Sequence, residues 1–345
     1  MAAYVIRRLL LLPFVLLALV LMVFSLQMLL TPTQRVALYA PNTSYLKGGQ
    51  KAINLLIEKY GLKDPFPVQF GRWVANIVRG NLGWSETARM PVGQAIADLF
   101  PATAELALLA IVPIVLGAIW LGTKAATHHN QPLDHSVRVF TILGWSFPVF
   151  VFGLAVLMIF YGWLGWFPPG RLSEWGDRLV RAGGFHRYTG MNIVDAILNG
   201  NGRLLLDALR HLVLPVTTLA YGGWAFMVRI MRSSMLETLR QDYATTARAK
   251  GVAEKVVQNR HARRNALLPV TTVSGLELAA MMGGVVITET IFDYHGLGRF
   301  AASAAANLDF PAVLGFTLYF AVLLVFANLI VDLLYAYLDP RVKLR

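Results

Sequence analysis

Apolar residues in this chain fall in long unbroken blocks, and the short alternations that mark half-buried strands or single-faced helices of a soluble domain are confined to the stretches between them. Six blocks lie at approximately 9–30, 102–123, 139–163, 212–231, 270–292 and 312–338. At 1.5 Å per residue each is long enough, as a helix, to cross the roughly 30 Å of a bilayer core. The pattern predicts an all-α integral membrane protein with six transmembrane helices. Arg7 and Arg8 ahead of the first block imitate a secretory leader. A leader's apolar core is shorter, about 7–15 residues, and no small-residue cleavage pattern follows at once, so this block is kept as a helix.

An even number of spans puts both termini on one side. With the termini in the cytoplasm, the inner segments 1–8, 124–138, 229–268 and 339–345 carry about twice the Lys/Arg density of the outer segments, as the positive-inside rule requires. The chain then divides into an N-terminal helix (1–30), an extracytoplasmic insertion (31–100) and a core of five helices (101–340) that contains a cytoplasmic loop at 232–268. Trp163, Trp166 and Phe167 close the third span as an interfacial aromatic belt. Pro13, Pro113, Pro148 and Pro215 lie inside spans and invite kinks. In the first insertion Ile53, Leu56, Ile57 and Tyr60 share one helical face, and Phe70, Trp73, Val74, Ile77 and Val78 share another. Two short amphipathic helices are expected there. Residues 168–210 read as a second external loop without a clear period.

Composition narrows the function classes. The 345 residues are 56% hydrophobic and 14% charged, with a mean hydropathy of +0.55, far from the balance of a soluble domain. The absence of cysteine excludes disulfides and thiolate-held metals. A net charge of +12 in a soluble protein would suggest nucleic acid, but here the basic residues sit between apolar blocks, and anionic lipid or an acidic-faced partner fits better.

Catalytic motifs are missing: there is no phosphate-binding G-x-x-x-x-G-K-[ST], no H-E-x-x-H and no G-x-S-x-G. This chain is not expected to be an enzyme, to hydrolyse ATP, or to carry a cofactor or metal. Gly296 and Gly298 imitate a dinucleotide fingerprint but follow a membrane helix where a strand would be needed, and His128–His129 reads as a solvated pair in a polar loop. Glu105, Arg229, Glu277, Glu289 and Asp332 are the charges inside spans; all but Glu277 lie near span ends, where they snorkel or cap. Ser274, Glu277, Met281, Gly284 and Thr288 follow i, i+3, i+7, i+10, i+14 and form a semi-polar stripe on the fifth span, read as lining a water-accessible passage. A structural role for Glu277, bonded to a neighbouring helix, is the alternative.

The loop 232–268 is basic and helix-prone. It includes Ala244, Thr245, Thr246, Ala247, Arg248, Ala249 and Lys250 before Gly251. Small side chains at 244, 247 and 251 would let another surface come close to the backbone, with Gly251 as helix stop. A protein partner and an anionic lipid surface both remain open on the residues alone.

At this loop a resemblance emerges. DYATTARAKG (242–251) followed by HARRNALLPV (261–270) resembles the EAA loop of binding-protein-dependent ABC importer permeases, in the form of the dipeptide, oligopeptide and nickel branch. AAYVIRRLL (2–10), GNLGWS (80–85), MRSSMLETL (231–239), TETIFDYHGLGRF (288–300) and IVDLLYAYLDPRVK (330–343) are similar to the B-type permease subunit of that branch. The glutamate of the general pattern is Thr245 here, as is usual in this branch, and Leu30–Thr33 replaces a Pro-Gly-Asp-Pro-like segment. The resemblance implies a type I importer-like bundle in a bacterial or archaeal cytoplasmic (inner) membrane. It also implies a homologous C-type permease, two ABC ATPases that bind ATP and Mg²⁺, and an extracytoplasmic solute-binding protein. Ala244 to Gly251 would be the helix that couples to the ATPase. Cargo is expected to be di- or oligopeptide, with nickel chelates and oligosaccharides also handled by the branch. The alternative from another class is an ion-coupled secondary transporter or channel that needs no ATPase.

Overall fold

The computed structural model describes residues 27–36 and 49–338, with side chains through 330, and of the first 26 residues only 10, 13, 14, 17, 18, 20–22, 24 and 25. Much of the first predicted span, the stretch 37–48 and both chain ends lie outside the described residues, as does the side chain of Asp332.

In chain order the elements are α1 (Gly49–Lys59), α2 (Phe66–Val78), a small hairpin of β1 (Trp84–Ser85) and β2 (Met90–Pro91), α3 (Val92–Thr127), α4 (Pro132–Ser146) and α5 (Val149–Leu157). There follow α6 (Glu174–Arg181), α7 (Asn192–Leu198), α8 (Gly202–Leu239), α9 (Asp242–Ala249), α10 (Arg263–Met282), α11 (Val286–Ile291), α12 (Leu297–Ala306) and α13 (Phe310–Leu338). A π-helical turn, Met158–Trp163, extends α5, and a second, Val257–Ala262, leads into α10.

Among the described residues four helices are long and apolar enough to cross a membrane: Val92–Thr127, Gly202–Leu239, Glu254–Met282 and Phe310–Ile330. The third predicted span is broken: α4 and the α5 segment through Trp163 meet at 96°. The cause is Pro148. Its ring disfavours helical backbone at the residue before it, and Phe147 is extended at φ −93°, ψ 120°. The fifth span also differs from the expected 270–292. Its helix begins earlier, at Glu254, and ends at Met282, before Gly284 at φ +111°, a conformation that L side chains rarely adopt. Proline at Pro215 is absorbed within α8, and Pro113 within α3, where the Pro113 carbonyl accepts a 2.8 Å bond from Trp224 Nε1.

The described chain forms two compact units. One comprises residues up to 103 with 283–286 and 295–326; the other comprises 104–282, 287–294 and the chain from 327 onward. In the first, both predicted amphipathic helices are present. Ile53, Leu56, Ile57 and Tyr60 of α1 and its following turn pack with Val36 and Leu62. Phe24, fully buried, takes Phe66, Phe70 and Trp73 around it, each with ring centroids 5.3 Å away; Val78, by contrast, is 81% exposed. The hairpin pairs Trp84 with Pro91 and Ser85 with Met90. Buried Asp309 accepts from Ser85 Oγ at 2.6 Å and Thr87 N at 2.9 Å, and caps the start of α13 through Ala312 N at 3.2 Å. Val92, Ile96, Leu297, Phe300 and Ala312 form the core. Gly284 and Gly298 bring their backbones into close approach: a Cβ built on Gly284 would lie 2.5 Å from Gly298 Cα.

In the second unit α3 and α8 pack through small residues. A Cβ on Gly117 would strike the Trp224 ring, one on Gly122 would strike Met231, and one on Gly223 would strike Ile114, so the helices approach as small-residue membrane interfaces do. The stretch 168–210, expected as a loop without period, holds α6 and α7 around a core of Leu172, Val180, Ala196, Leu204 and Ala208. Glu105, expected to snorkel or cap, is instead 2% exposed. Its carboxylate accepts from Arg171 Nη2 at 2.9 Å, from Tyr294 Oη at 2.9 Å and from Ile193 N at 2.6 Å, which satisfies a charge that burial would otherwise penalise heavily. Glu289 is buried as well, and Arg229 stacks its guanidinium over Trp145 at 5.4 Å.

Candidate functional site

The loop after α8 folds into a helical hairpin. α8 stops at Leu239, Arg240 and Gln241 turn the chain, and α9 runs eight residues to Ala249. Gly251 ends it at φ +77°. Its N–H donates to Arg248 O at 2.9 Å, and Val252 N donates to Ala247 O at 3.2 Å. Those two bonds, with Val252 packed on the Ala247 side, make a Schellman stop, in which the left-handed residue is best a glycine. A side chain at 251 would meet open space; the demand for glycine here is conformational alone.

The hairpin's interior is small. Ala244, Ala247 and Val257 are buried and Val252 packs against them. This reverses the expectation for the small residues. Ala244 and Ala247 let the chain's own next segment approach, and the face left outward carries Asp242, Tyr243, Thr245, Thr246, Ala249 and Lys250. Tyr243 is 39% exposed. Tyr243, Thr246 and Lys250 stand at i, i+3, i+7, one stripe of the outer face.

One side chain clips the hairpin shut. Arg248 forks onto Glu254, Nε to Oε2 at 2.9 Å and Nη2 to Oε1 at 3.0 Å, while its Nη1 donates to Leu239 O at 3.0 Å. The last bond satisfies one of the carbonyls that any helix leaves open at its C-terminus. The hydrogen bond to Glu254 also raises the pKa of Arg248 above its ordinary value, so the clip holds its positive charge throughout the physiological range.

Beneath the hairpin the ends of three helices lock together. Met231, Met235, Ala262, Ala266 and Val270 pack with Ala126 of α3. Asp134, fully buried in the first turn of α4, receives Arg232 Nε at 2.6 Å and Nη2 at 2.7 Å, and Asn130 N at 3.0 Å. His129 Nδ1 lies 3.3 Å from Arg232 Nη2, and His128 Nδ1 lies 3.0 Å from Lys124 O. Neither clip was visible in the sequence. Arg248 and Glu254 are six apart across a glycine, which is no helical pairing interval, and Asp134 and Arg232 are 98 positions apart. Only Asp134 gave a local signal, an acid in a helix's first turn.

The stripe on the fifth span is only partly a single face. Ser274, Glu277 and Met281 do share one face of α10, where Ser274 Oγ bonds back to Val270 O at 2.7 Å, Glu277 is half-buried and Met281 is 4% exposed. Gly284 falls beyond the helix end and Thr288, 3% exposed, lies on α11, because the break at 283–285 interrupts the period.

Long apolar helices joined at their ends to a capped hairpin mark a multi-span membrane protein. A family model described as "Binding-protein-dependent transport system inner membrane component" matches residues 114–344. Among similar proteins, the probable D,D-dipeptide transport system permease protein DdpB of Escherichia coli (strain K12) is 41% identical over 302 residues, 86% of this chain and 87% of its own. The dipeptide transport system permease protein DppB of Alkalihalophilus pseudofirmus is 35% identical over 343 residues, 99% of this chain and 100% of its own. The oligopeptide transport system permease protein AppB of Bacillus subtilis (strain 168) is 35% identical over 344 residues, with the same coverage. The chain belongs to the family of binding-protein-dependent transport system inner membrane components. It is therefore a bacterial-type inner-membrane transport permease, and the ion-coupled alternative falls away.

Proposed function

We propose that this chain is one of two permeases of an ATP-driven importer of di- and oligopeptides. In this scheme the chain crosses six times, with both termini and the hairpin in the cytoplasm and the insertion 31–100 outside. A homologous permease completes the path, and an extracytoplasmic binding protein delivers the peptide. Two ATPase subunits bind ATP and Mg²⁺ and dock on Ala244–Gly251. Among similar proteins, names for D,D-dipeptide, dipeptide and oligopeptide systems favour peptide cargo.

The observation that carries the coupling role is the inverted hairpin. Its small residues are spent on internal packing, so its outer face is a rigid, pre-shaped surface with a tyrosine, two threonines and a lysine. Closure of the ATPase dimer would push on that face, and the Arg248 and Asp134 clips would pass the displacement to α3, α4, α8 and α10 as a rigid body, biasing the bundle between two states. Ser274, Glu277 and Met281 are the path-facing residues of this scheme.

Reconstitution tests it. Proteoliposomes with both permeases, both ATPases and the binding protein should accumulate a tripeptide only with ATP and binding protein present. Accumulation that persists without nucleotide would sink the proposal.

A further inference from the structure

The second arm of the hairpin carries charges that the chain itself does not use. From Glu254 to Met282 the backbone is one helical run long and apolar enough to cross a membrane, the π-helical turn Val257–Ala262 included. Its first turns hold Lys255, Arg260, Arg263 and Arg264, and no Asp or Glu stands between Glu254 and Glu277. Glu254 itself is already taken by Arg248.

Other arginines close by in the same unit are occupied. Arg232 forks onto Asp134, Arg248 onto Glu254, and Arg229 covers the Trp145 ring. Lys255, Arg260, Arg263 and Arg264 are all exposed, and none of them has an ion pair or a side-chain hydrogen bond among the described residues. The amides beside them are satisfied within the helix: Asn259 Nδ2 donates to Lys255 O at 3.0 Å and Asn265 Nδ2 to His261 O at 3.3 Å. Val257, Ala262 and Ala266, fully buried, pack the other side of these turns against the rest of the chain. The run is thus fixed by its small apolar residues while three guanidiniums are held outward.

Height and chemistry select the partner. Arg263 and Arg264 precede Leu267 and Leu268, where the apolar part of the run opens, by about one turn, roughly 5 Å along the axis. That is about the depth of the headgroup layer on one face of a bilayer. Arg260 lies a further turn down, and a side chain of its length can snorkel back toward that layer. No linker intervenes, so the helix seated in the hydrocarbon sets the level of these charges. A guanidinium presents a fork of N–H donors that matches phosphate oxygens. Clustered cations immediately beside a span are the footprint of anionic lipid.

We infer that Arg260, Arg263 and Arg264 form a binding site for anionic phospholipid and take the headgroup phosphates of the leaflet in which α10 begins, with Lys255 adding charge from below. The hairpin then faces two ways: α9 turns its outer face to solvent, and the second arm grips the membrane surface. The inference requires Glu254–Met282 to cross the bilayer and is independent of the cargo.

The test uses the full-length chain in nanodiscs of phosphatidylcholine with about one-fifth phosphatidylglycerol, a trace of the latter carrying a photoactivatable group beside its phosphate. Irradiation and peptide mapping should place label on residues 255–268, and phosphatidylcholine carrying the same group should label them far less. Replacing Arg260, Arg263 and Arg264 together by Gln should lower the phosphatidylglycerol label by at least about tenfold, because each cation near the surface is worth roughly fivefold in affinity for an anionic leaflet. The three positions are exposed, so the variant should melt as the wild type does; should it fail to assemble, R260Q, R263Q and R264Q read singly should each lower the label roughly fivefold. Salt at about 0.5 M should erase the preference, since exposed charges are screened. Equal labelling by the two lipids, or label unchanged in the Gln variants, overturns the inference. Label that disappears when ATPase subunits bind assigns the arginines to a protein surface and overturns it as well.

Discussion

Around Gly284 and Gly298 two stretches of backbone lie so close that neither tolerates a β-carbon, whereas at Gly251 of the hairpin an added Cβ would meet nothing. The first region is complete within this chain. Val92, Leu297 and Ala312 are fully buried beside it, and Asp309 satisfies the hairpin strands on one side and the start of α13 on the other. The second is closed on one face only. Its interior is three small apolar residues, and its outer face is polar except for Tyr243 and Ala249. Packing thus separates a region closed on every side from one that leaves a face outward.

That contrast can be broken by four sets of substitutions. Gly298→Val places a branched side chain against the backbone of Gly284 and Val286. It should cost on the order of 3–5 kcal/mol, outside the ordinary range for a single change, read as loss of a monodisperse, cooperatively melting protein in detergent. Asp134→Ala leaves the partly exposed Arg232 without its carboxylate and should cost about 1.5–3 kcal/mol by thermal melt; Asp134→Ala with Arg232→Met should recover most of it. Ala247→Leu overpacks the hairpin interior and should cost about 1–3 kcal/mol, with loss of ATPase retention as a consequence of local distortion. Tyr243→Ala combined with Thr246→Ala should move the melting free energy by no more than about 0.5 kcal/mol. The same pair should weaken ATPase retention roughly tenfold, measured by titrating the ATPase onto immobilised permease. Intact retention in that last pair would erase the distinction between the two regions.

The second, fourth and sixth apolar blocks were legible, each lying on a helix long enough to span a membrane, because twenty consecutive apolar residues have few other uses. The amphipathic faces of α1 and α2 were legible too, since period and burial agree at Ile53, Leu56 and Ile57. What remained hidden was set by interactions distant in sequence. Nothing local marks Glu105 as the centre of a network with Arg171, Ile193 and Tyr294, or distinguishes it from a snorkelling acid at a span end. The loop 168–210 lacked a readable period because α6 and α7 are only eight and seven residues long, barely two turns each. At the hairpin the alanine spacing shows that something comes close, and only the fold shows that it is Val257 of the same chain. Gly284 in the semi-polar stripe was read by its spacing, while its positive φ ends the very helix on which that spacing depended.

The corner at Phe147–Pro148 limits how this protein can move. A straight rod between two leaflets can slide along its own axis like a piston. An element bent by 96° has no such axis, and the proline ring at the corner disfavours helical backbone at Phe147. A displacement at the base of α4 would therefore swing the segment from Pro132 to Trp163 as a crank instead of driving it as a piston.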